Sequence, residues 1–157
     1  MNRVKLFLAG VLFVFGVLPL AAQYSKTDLQ NMYMRYLRAE GYSPEIDKDG
    51  DVSFKFEGKY YYIEIYEDDL EFFRVVFPNF WEIESGEERA QVAQAASWAN
   101  RRTKAAKVYM TDKNTTIAVE LFIPKPEDFT AVFSRSLQVI STALGHFRDG
   151  MAEQKQP

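Results

Sequence analysis

The residues of this chain best suited to bind a metal ion lie in the short segment DKDGD. Asp47, Asp49 and Asp51 occupy the first, third and fifth positions of a calcium loop of the EF-hand type. The pattern then fails, because Val52 stands where that loop needs a glycine and Gly58 stands where it needs a closing glutamate. The alternative interpretation is a hairpin turn whose aspartates bond to their own backbone.

A second acidic segment, EDDLE at residues 67–71, follows in the same third of the chain. Paired carboxylates perform acid–base chemistry when an apolar cleft raises the pKa of one of them. Here the segment separates two predicted strands, which favours a solvated turn. A weak calcium-dependent module or carboxylate-based enzyme, built from both acidic segments, is therefore the alternative function.

Nucleophilic catalysis and zinc chemistry have little support in this sequence. It contains no cysteine and a single histidine, His146. A Ser–His arrangement would have to use that one residue, and zinc sites need several histidines or cysteines. No glycine-rich phosphate loop is present. We therefore predict a protein that is not an enzyme and that has no cofactor and no metal.

Trp98 is the residue most suggestive of a surface that binds a partner. On a helical projection it lies about 120° from Val92, the centre of the second helix's apolar stripe, and beside Gln91 and Arg102. Tryptophan and arginine are favoured at the centres of protein interfaces. Trp98, Gln91 and Arg102 are therefore predicted to bind a protein partner or a second copy. The alternative is that Trp98 shields the edge of the core.

The first 22 residues have the layout of a secretory signal peptide. Arg3 and Lys5 precede an almost wholly apolar run, Leu6–Leu20, and small residues follow it. That run is shorter than the ~20 residues that span a bilayer, which disfavours the competing interpretation of a retained anchor. We predict a bacterial periplasmic or secreted protein. Without cysteine, it must be stabilised by its core alone.

The remainder of the chain is predicted to form one domain, residues 23–151, followed by a flexible polar tail, residues 152–157. Two of the 19 Lys and Arg residues lie in the leader, whereas all 22 Asp and Glu residues follow it. Such an acidic balance with mixed signs is poorly suited to a phosphate backbone. We expect no nucleic-acid partner, and no membrane association after cleavage.

Hydrophobic periodicity predicts an α+β fold with an antiparallel meander of five to six strands. Helical spacing begins at a capping box, either Ser25 with Asp28 or Thr27 with Gln30, and stops at Gly41. Three or four strands follow, then a helix opened by Ser85, two further strands and a long amphipathic helix. The helices are expected to pack mainly on one face of the sheet.

The aromatic segment Glu57–Trp81 is interpreted mainly as the inside of that sheet. Alternation places Tyr61 and Ile63 on one face and Tyr60 and Tyr62 on the other. Aromatic and β-branched residues are those that strands favour. Pro78 is expected to end the third long strand, with Trp81 at the rim of the core.

Several segments together resemble a known family: "GY" after the first helix, DGDVSFKFEGKYYYIEI, WANRRTKAAKVYM, TTIAVELFI and FTAVFSRSLQVISTALGHF. The chain is similar to the YbjN-type group of sensory transduction regulators, which share the fold of type III secretion chaperones. The resemblance covers most of residues 23–151. It implies a small binding or regulatory domain, often dimeric, with no known catalytic site.

Together these features predict an exported, non-enzymatic domain that mediates protein–protein interaction. The predicted homodimer uses the second helix and a neighbouring strand face. A third possibility is peptide capture along an exposed edge of the sheet.

Overall fold

The computed structural model describes residues 24–154 as one six-stranded antiparallel sheet and three α-helices. The predicted signal peptide lies outside the described residues. In chain order the elements are α1 (Lys26–Ala39), β1 (Glu45–Ile46), β2 (Val52–Phe56), β3 (Lys59–Glu64), β4 (Phe72–Glu82), α2 (Gly86–Arg102), β5 (Ala106–Met110), β6 (Asn114–Phe122), a short 3-10 turn (Pro126–Asp128) and α3 (Phe129–Glu153). The predicted α+β class is confirmed.

Side-chain caps define where the first two helices begin. Ser25 and Asp28 form the capping box of α1, each bonding to the backbone N–H of the other. At α2 the Ser85 hydroxyl accepts the N–H of Glu88, but the Glu88 carboxylate accepts the N–H of Glu84 instead of closing a box. In both cases a side-chain oxygen satisfies a backbone donor that the first turn leaves open.

The order of strands in the sheet is β1-β2-β3-β4-β6-β5. The first four strands form the predicted meander through short turns. At the tightest of these, Glu57 and Gly58 both have positive φ, as a two-residue hairpin turn of type I′ requires. After α2 the chain crosses to the far edge, so β6 pairs with β4 and β5 becomes an edge strand.

Pro78 does not end its strand, contrary to the prediction. β4 runs through it to Glu82, and the pairing with β6 shifts register between Phe77 and Trp81. Asn79, within this bulge, has a φ of 52°. Proline lacks the N–H that a regular ladder needs, and the bulge leaves that position unpaired.

The core lies between the helices and one face of the sheet. The inward side chains of β2, β3 and β4 include Phe54, Tyr61 and Phe73, all almost fully buried. Phe129 and Phe133 of α3 contact these rings at centroid distances of 5.8 Å to Phe73 and 5.5 Å to Phe54. The prediction that the aromatic segment lies mainly on the inside of the sheet is therefore correct for this face.

Small residues let α2 and α3 approach closely. Ala95 and Ala99 of α2 are fully buried, and a Cβ placed on Gly150 of α3 would lie 3.0 Å from the Ala95 Cα atom. α3 continues to Glu153, two residues beyond the predicted end of the domain at 151. The next residue, Gln154, donates a hydrogen bond to the carbonyl of Gln91.

Candidate functional site

The sheet has a second face that no helix covers among the described residues, here called the open face. Its side chains alternate with those of the core along five strands. Cross-strand register aligns Tyr62, Val76, Ala118 and Lys107 in one row. The open face consists of Ser53, Lys55, Tyr60, Tyr62, Glu64, Phe72, Arg74, Val76, Lys107, Tyr109, Thr116, Ala118, Glu120 and Phe122.

Apolar side chains are most exposed at the two ends of the open face. Phe122 is 79% exposed and contacts its cross-strand neighbour Phe72, with 5.8 Å between ring centroids and the rings tilted by 51°. Tyr66 meets Phe72 edge-on at 5.0 Å. At the other end Tyr60 is 54% exposed, under the ammonium of Lys55 at 4.8 Å. Exposed rings therefore lie at both ends of the open face, and single exposed apolar residues are ordinary on protein surfaces.

The centre of the open face is a network of charges that neutralise one another. Arg74, whose side chain is 15% exposed, forms ion pairs with Glu64 and, at 2.9 Å from Nε to Oε1, with Glu120. Its Nη2 donates to the Tyr109 hydroxyl at 2.7 Å. Lys107 approaches Glu120 at 2.6 Å. The network ties β3, β4, β5 and β6 together across the face.

Two further contacts fix the tyrosine beside this network. The Tyr66 hydroxyl donates to Glu64 Oε2 at 2.6 Å and accepts from Arg74 Nη1 at 3.3 Å. Burial, together with this hydrogen bond to the carboxylate, raises the pKa of Tyr66. The phenol is therefore neutral at ordinary pH, so the network presents a neutral hydroxyl to the apolar end of the face.

Small residues form the floor between the network and the rings. Within residues 24–154 no helix lies over Val76, Ala118 and Thr116, yet these small residues are buried. Their cross-strand neighbours Tyr62, Lys107 and Tyr109 have longer side chains. The open face thus combines an apolar floor, exposed rings at both ends and a charge-balanced centre.

The three aspartates of DKDGD form a hairpin turn. Asp47 Oδ1 accepts the backbone N–H groups of Asp49 and Asp51, at 2.9 and 3.0 Å. Asp51 Oδ1 accepts the N–H of Ile65, and burial raises the pKa of its carboxyl. The Lys26 ammonium donates to the carbonyl of Asp49 at 3.0 Å, so a side-chain cation already lies against this loop.

The EDDLE segment lies in an exposed turn between β3 and β4. Glu67 accepts the backbone N–H of Lys26 at the start of α1, and Asp68 and Asp69 are exposed. Within residues 24–154, no group of three or more His, Cys, Asp and Glu side chains is placed to hold a metal ion. Both acidic segments contact Lys26 at the start of α1, through the Asp49 carbonyl and the Glu67 carboxylate, without forming such a group.

Trp98, Gln91 and Arg102 lie along one side of α2, beside the end of α3. The Arg102 guanidinium stacks on the Trp98 ring, with 3.4 Å from its central carbon to the ring centroid. A Cβ on Gly150 would lie 3.2 Å from Trp98, so the indole covers that glycine. Trp98 therefore shields the α2–α3 contact, and its role towards a partner stays a prediction.

Trp81 lies at the rim of the core, as predicted. Its ring meets Phe147 at 5.6 Å, and its Nε1 donates to Glu88 Oε1 at 3.0 Å. His146 is half-buried on the flank of α3, which also agrees with its helical position.

Sequence reasoning missed the partners that complete the open face. Phe122, Tyr109, Val76 and Ala118 belong to strands that were predicted, and their alternation was readable. Which strands would be neighbours was not, because β6 inserts between β4 and β5. The signal that would have found Phe122 is a large apolar residue on the solvent side of its strand.

Comparison with known protein families, curated proteins and solved structures found no match to this chain. The similarity to the YbjN-type group therefore stays a prediction. None of the helices in residues 24–154 is long and apolar enough to cross a membrane.

Proposed function

We propose that this chain is an exported, non-enzymatic binding domain whose open face engages a protein partner. One observation carries the proposal: no helix of the part of the chain that the structure describes covers the open face, on which Phe122 is 79% and Tyr60 54% exposed. Export is inferred from the leader-like first 22 residues.

The chemistry of the face supports a protein as the ligand. Aromatic side chains dominate the energetics of protein interfaces, and a neighbouring arginine network gives orientation. The rings are tilted relative to one another, by 51° for Phe72 and Phe122 and by 76° for Tyr66 and Phe72. Rings tilted in this way are better suited to contact the uneven surface of another protein than to stack on a flat ligand.

The dimensions of the face are also adequate. The open face spans five strands that lie ~4.8 Å apart, and each strand has on average about seven residues, with a rise of ~3.3 Å per residue. The face is therefore roughly 20 Å on a side. Standard interfaces bury about 800 Å² on each partner, so the open face, at about 400 Å², supplies roughly half of one side and its rim would supply the remainder. The partner is another protein or a second copy of this chain.

The experiment is capture of partners by the tagged chain from the cell envelope of its own bacterium. Phe122→Ser removes the most exposed ring of the face without touching the core, and Ile46→Ser removes an exposed apolar residue (47% exposed) that is not part of the open face. We expect the wild type and Ile46→Ser to capture the same specific partner in similar amounts. Phe122→Ser should capture at least about ten-fold less of it.

A partner that binds Phe122→Ser as well as the wild type would show that the open face is not the binding surface. Light scattering of the purified proteins, with Trp98→Ala alongside, reveals whether the partner is a second copy. If the protein is a strict monomer at high micromolar concentration and Trp98→Ala does not change this, the prediction of a homodimer is wrong.

A further inference from the structure

The outer edge of β5 is closed by one side chain. β5 is an edge strand, so alternate backbone groups point away from the sheet. The N–H of Val108 donates to Asn100 Oδ1 at 2.7 Å, and Asn100 Nδ2 donates to the Val108 carbonyl at 3.0 Å. A carboxamide carries the same donor and acceptor as a peptide unit. Asn100, from α2, therefore occupies the position of one residue of a seventh strand.

We propose that Asn100 blocks the outer edge of β5 and so prevents this strand from pairing with another chain. When Asn100 is removed, the strand that pairs with this edge is β5 of a second copy. This inference goes beyond the function proposed above, since it concerns the edge of the sheet and not its open face.

The strand is symmetric about the residue that Asn100 covers. Val108 is the middle residue of β5, Ala106–Met110. A two-fold axis at Val108 would place it opposite its own copy, with Ala106 opposite Met110. Alternation directs the backbone groups of Ala106 and Met110 outward together with those of Val108, so the antiparallel pair would form about six backbone hydrogen bonds.

The same register is favourable for charge. It places Lys107 opposite Tyr109 of the second copy. Within one chain the Lys107 ammonium already lies 5.5 Å from the Tyr109 ring centroid, so this pairing reuses a cation–π contact. A slip of two residues would bring Lys107 opposite Lys107, and like charges directly opposite are destabilising. Charge thus favours the register centred on Val108 over this slip.

Space along the edge is available on the helix side. A groove of about 420 Å³ lies between α2 and β5. Its helical wall consists of the small residues Ala93, Ala96 and Ser97, followed by Asn100 and Arg101 at the end of α2. The small side chains allow the backbone of an added strand, and the α2 that accompanies it, to approach closely.

The test compares Asn100→Ala with Gln94→Ala, an exposed position on the same helix. Sedimentation velocity from low to high micromolar concentration measures self-association, and hydrogen exchange measures protection of the Val108 amide. We expect the dissociation constant of the Asn100→Ala dimer to fall about ten-fold or more below that of the wild type, with Gln94→Ala unchanged. Protection of the Val108 amide in Asn100→Ala should rise with protein concentration.

A second substitution identifies the surface used. Proline lacks the N–H and is tolerated on the outward side of an edge strand, so Asn100→Ala with Val108→Pro should self-associate no more than the wild type. Circular dichroism and cooperative urea unfolding establish that each variant is folded, and Asn100→Ser replaces Asn100→Ala if it is not. Folded Asn100 variants that associate no more strongly than the wild type, or association that persists with Val108→Pro, would overturn the inference. Neither result would affect capture of a partner through Phe122.

Discussion

At the scale of single residues, two glycines on α3 differ only in what surrounds them. Gly150 is buried, and a Cβ there would meet the Ala95 backbone at 3.0 Å. Gly145 is exposed and has nothing within 4 Å of such a Cβ. Both are helical, so the intrinsic preference for alanine over glycine is the same at each position.

Alanine should therefore have opposite effects at the two positions. Gly150→Ala overpacks the α2–α3 contact beneath Trp98 and should lower the free energy of unfolding by about 1–3 kcal/mol. Gly145→Ala should raise it by up to about 1 kcal/mol. Urea unfolding measures both. Equal shifts of the same sign would mean that the two helices do not pack as closely as described.

At the scale of elements, the charge network holds the central strands in register. Arg74 on β4 pairs with Glu64 on β3 and with Glu120 on β6. Arg74→Met would leave both carboxylates on the sheet without this cation, although Lys107 still approaches Glu120. Since all three side chains retain some exposure, we expect Arg74→Met to lower the free energy of unfolding by about 1–3 kcal/mol, which is less than for breaking a fully buried ion pair.

The matched control removes the carboxylate charges as well. In the Arg74→Met background, Glu64→Gln and Glu120→Gln together should recover part of the lost stability, because the uncompensated charges are gone. Thermal or urea unfolding is measured for the four proteins of this cycle: the wild type, Arg74→Met, Glu64→Gln with Glu120→Gln, and the variant that combines all three substitutions. Equal stability of Arg74→Met and the wild type would show that the network contributes nothing to the fold.

At the scale of the whole molecule, buried tyrosines make stability depend on alkaline pH. Burial raises the pKa of Tyr33 to about 12, and burial with the nearby Glu57 carboxylate raises that of Tyr61 to about 12. Both folded values exceed the usual value of 10. The folded state thus holds these protons more tightly than the unfolded state, and stability falls as pH rises from about 10 to 12.

Unfolding by urea across this range should show a falling midpoint in the wild type. Tyr33→Phe with Tyr61→Phe should flatten that fall, because neither ring then carries a proton to lose. Tyr60→Phe, at an exposed position, serves as the control and should follow the wild type. A wild-type midpoint that is constant between pH 10 and 12 would contradict the burial of these two phenols.

Side-chain alternation and helical spacing were sufficient to predict three helices, an antiparallel sheet and which residues of β3 share a face, because these patterns depend on local geometry. They did not show which of the two faces of β3 points inward. The extent of β4 could not be predicted, since only pairing with β6 carries the strand through Pro78. The same holds for Trp98, whose position off the apolar stripe did not reveal that Gly150 on another helix makes room for it.

The amino-acid pattern by itself determined most of the secondary structure, the α+β class and the absence of cysteine chemistry, because each follows from residue type and near-neighbour spacing. Only the tertiary structure decided that β6 lies between β4 and β5, that no helix within residues 24–154 covers one face of the sheet, and that Asn100 closes the β5 edge. These features depend on contacts between residues distant in the chain, and no local periodicity encodes which strands become neighbours.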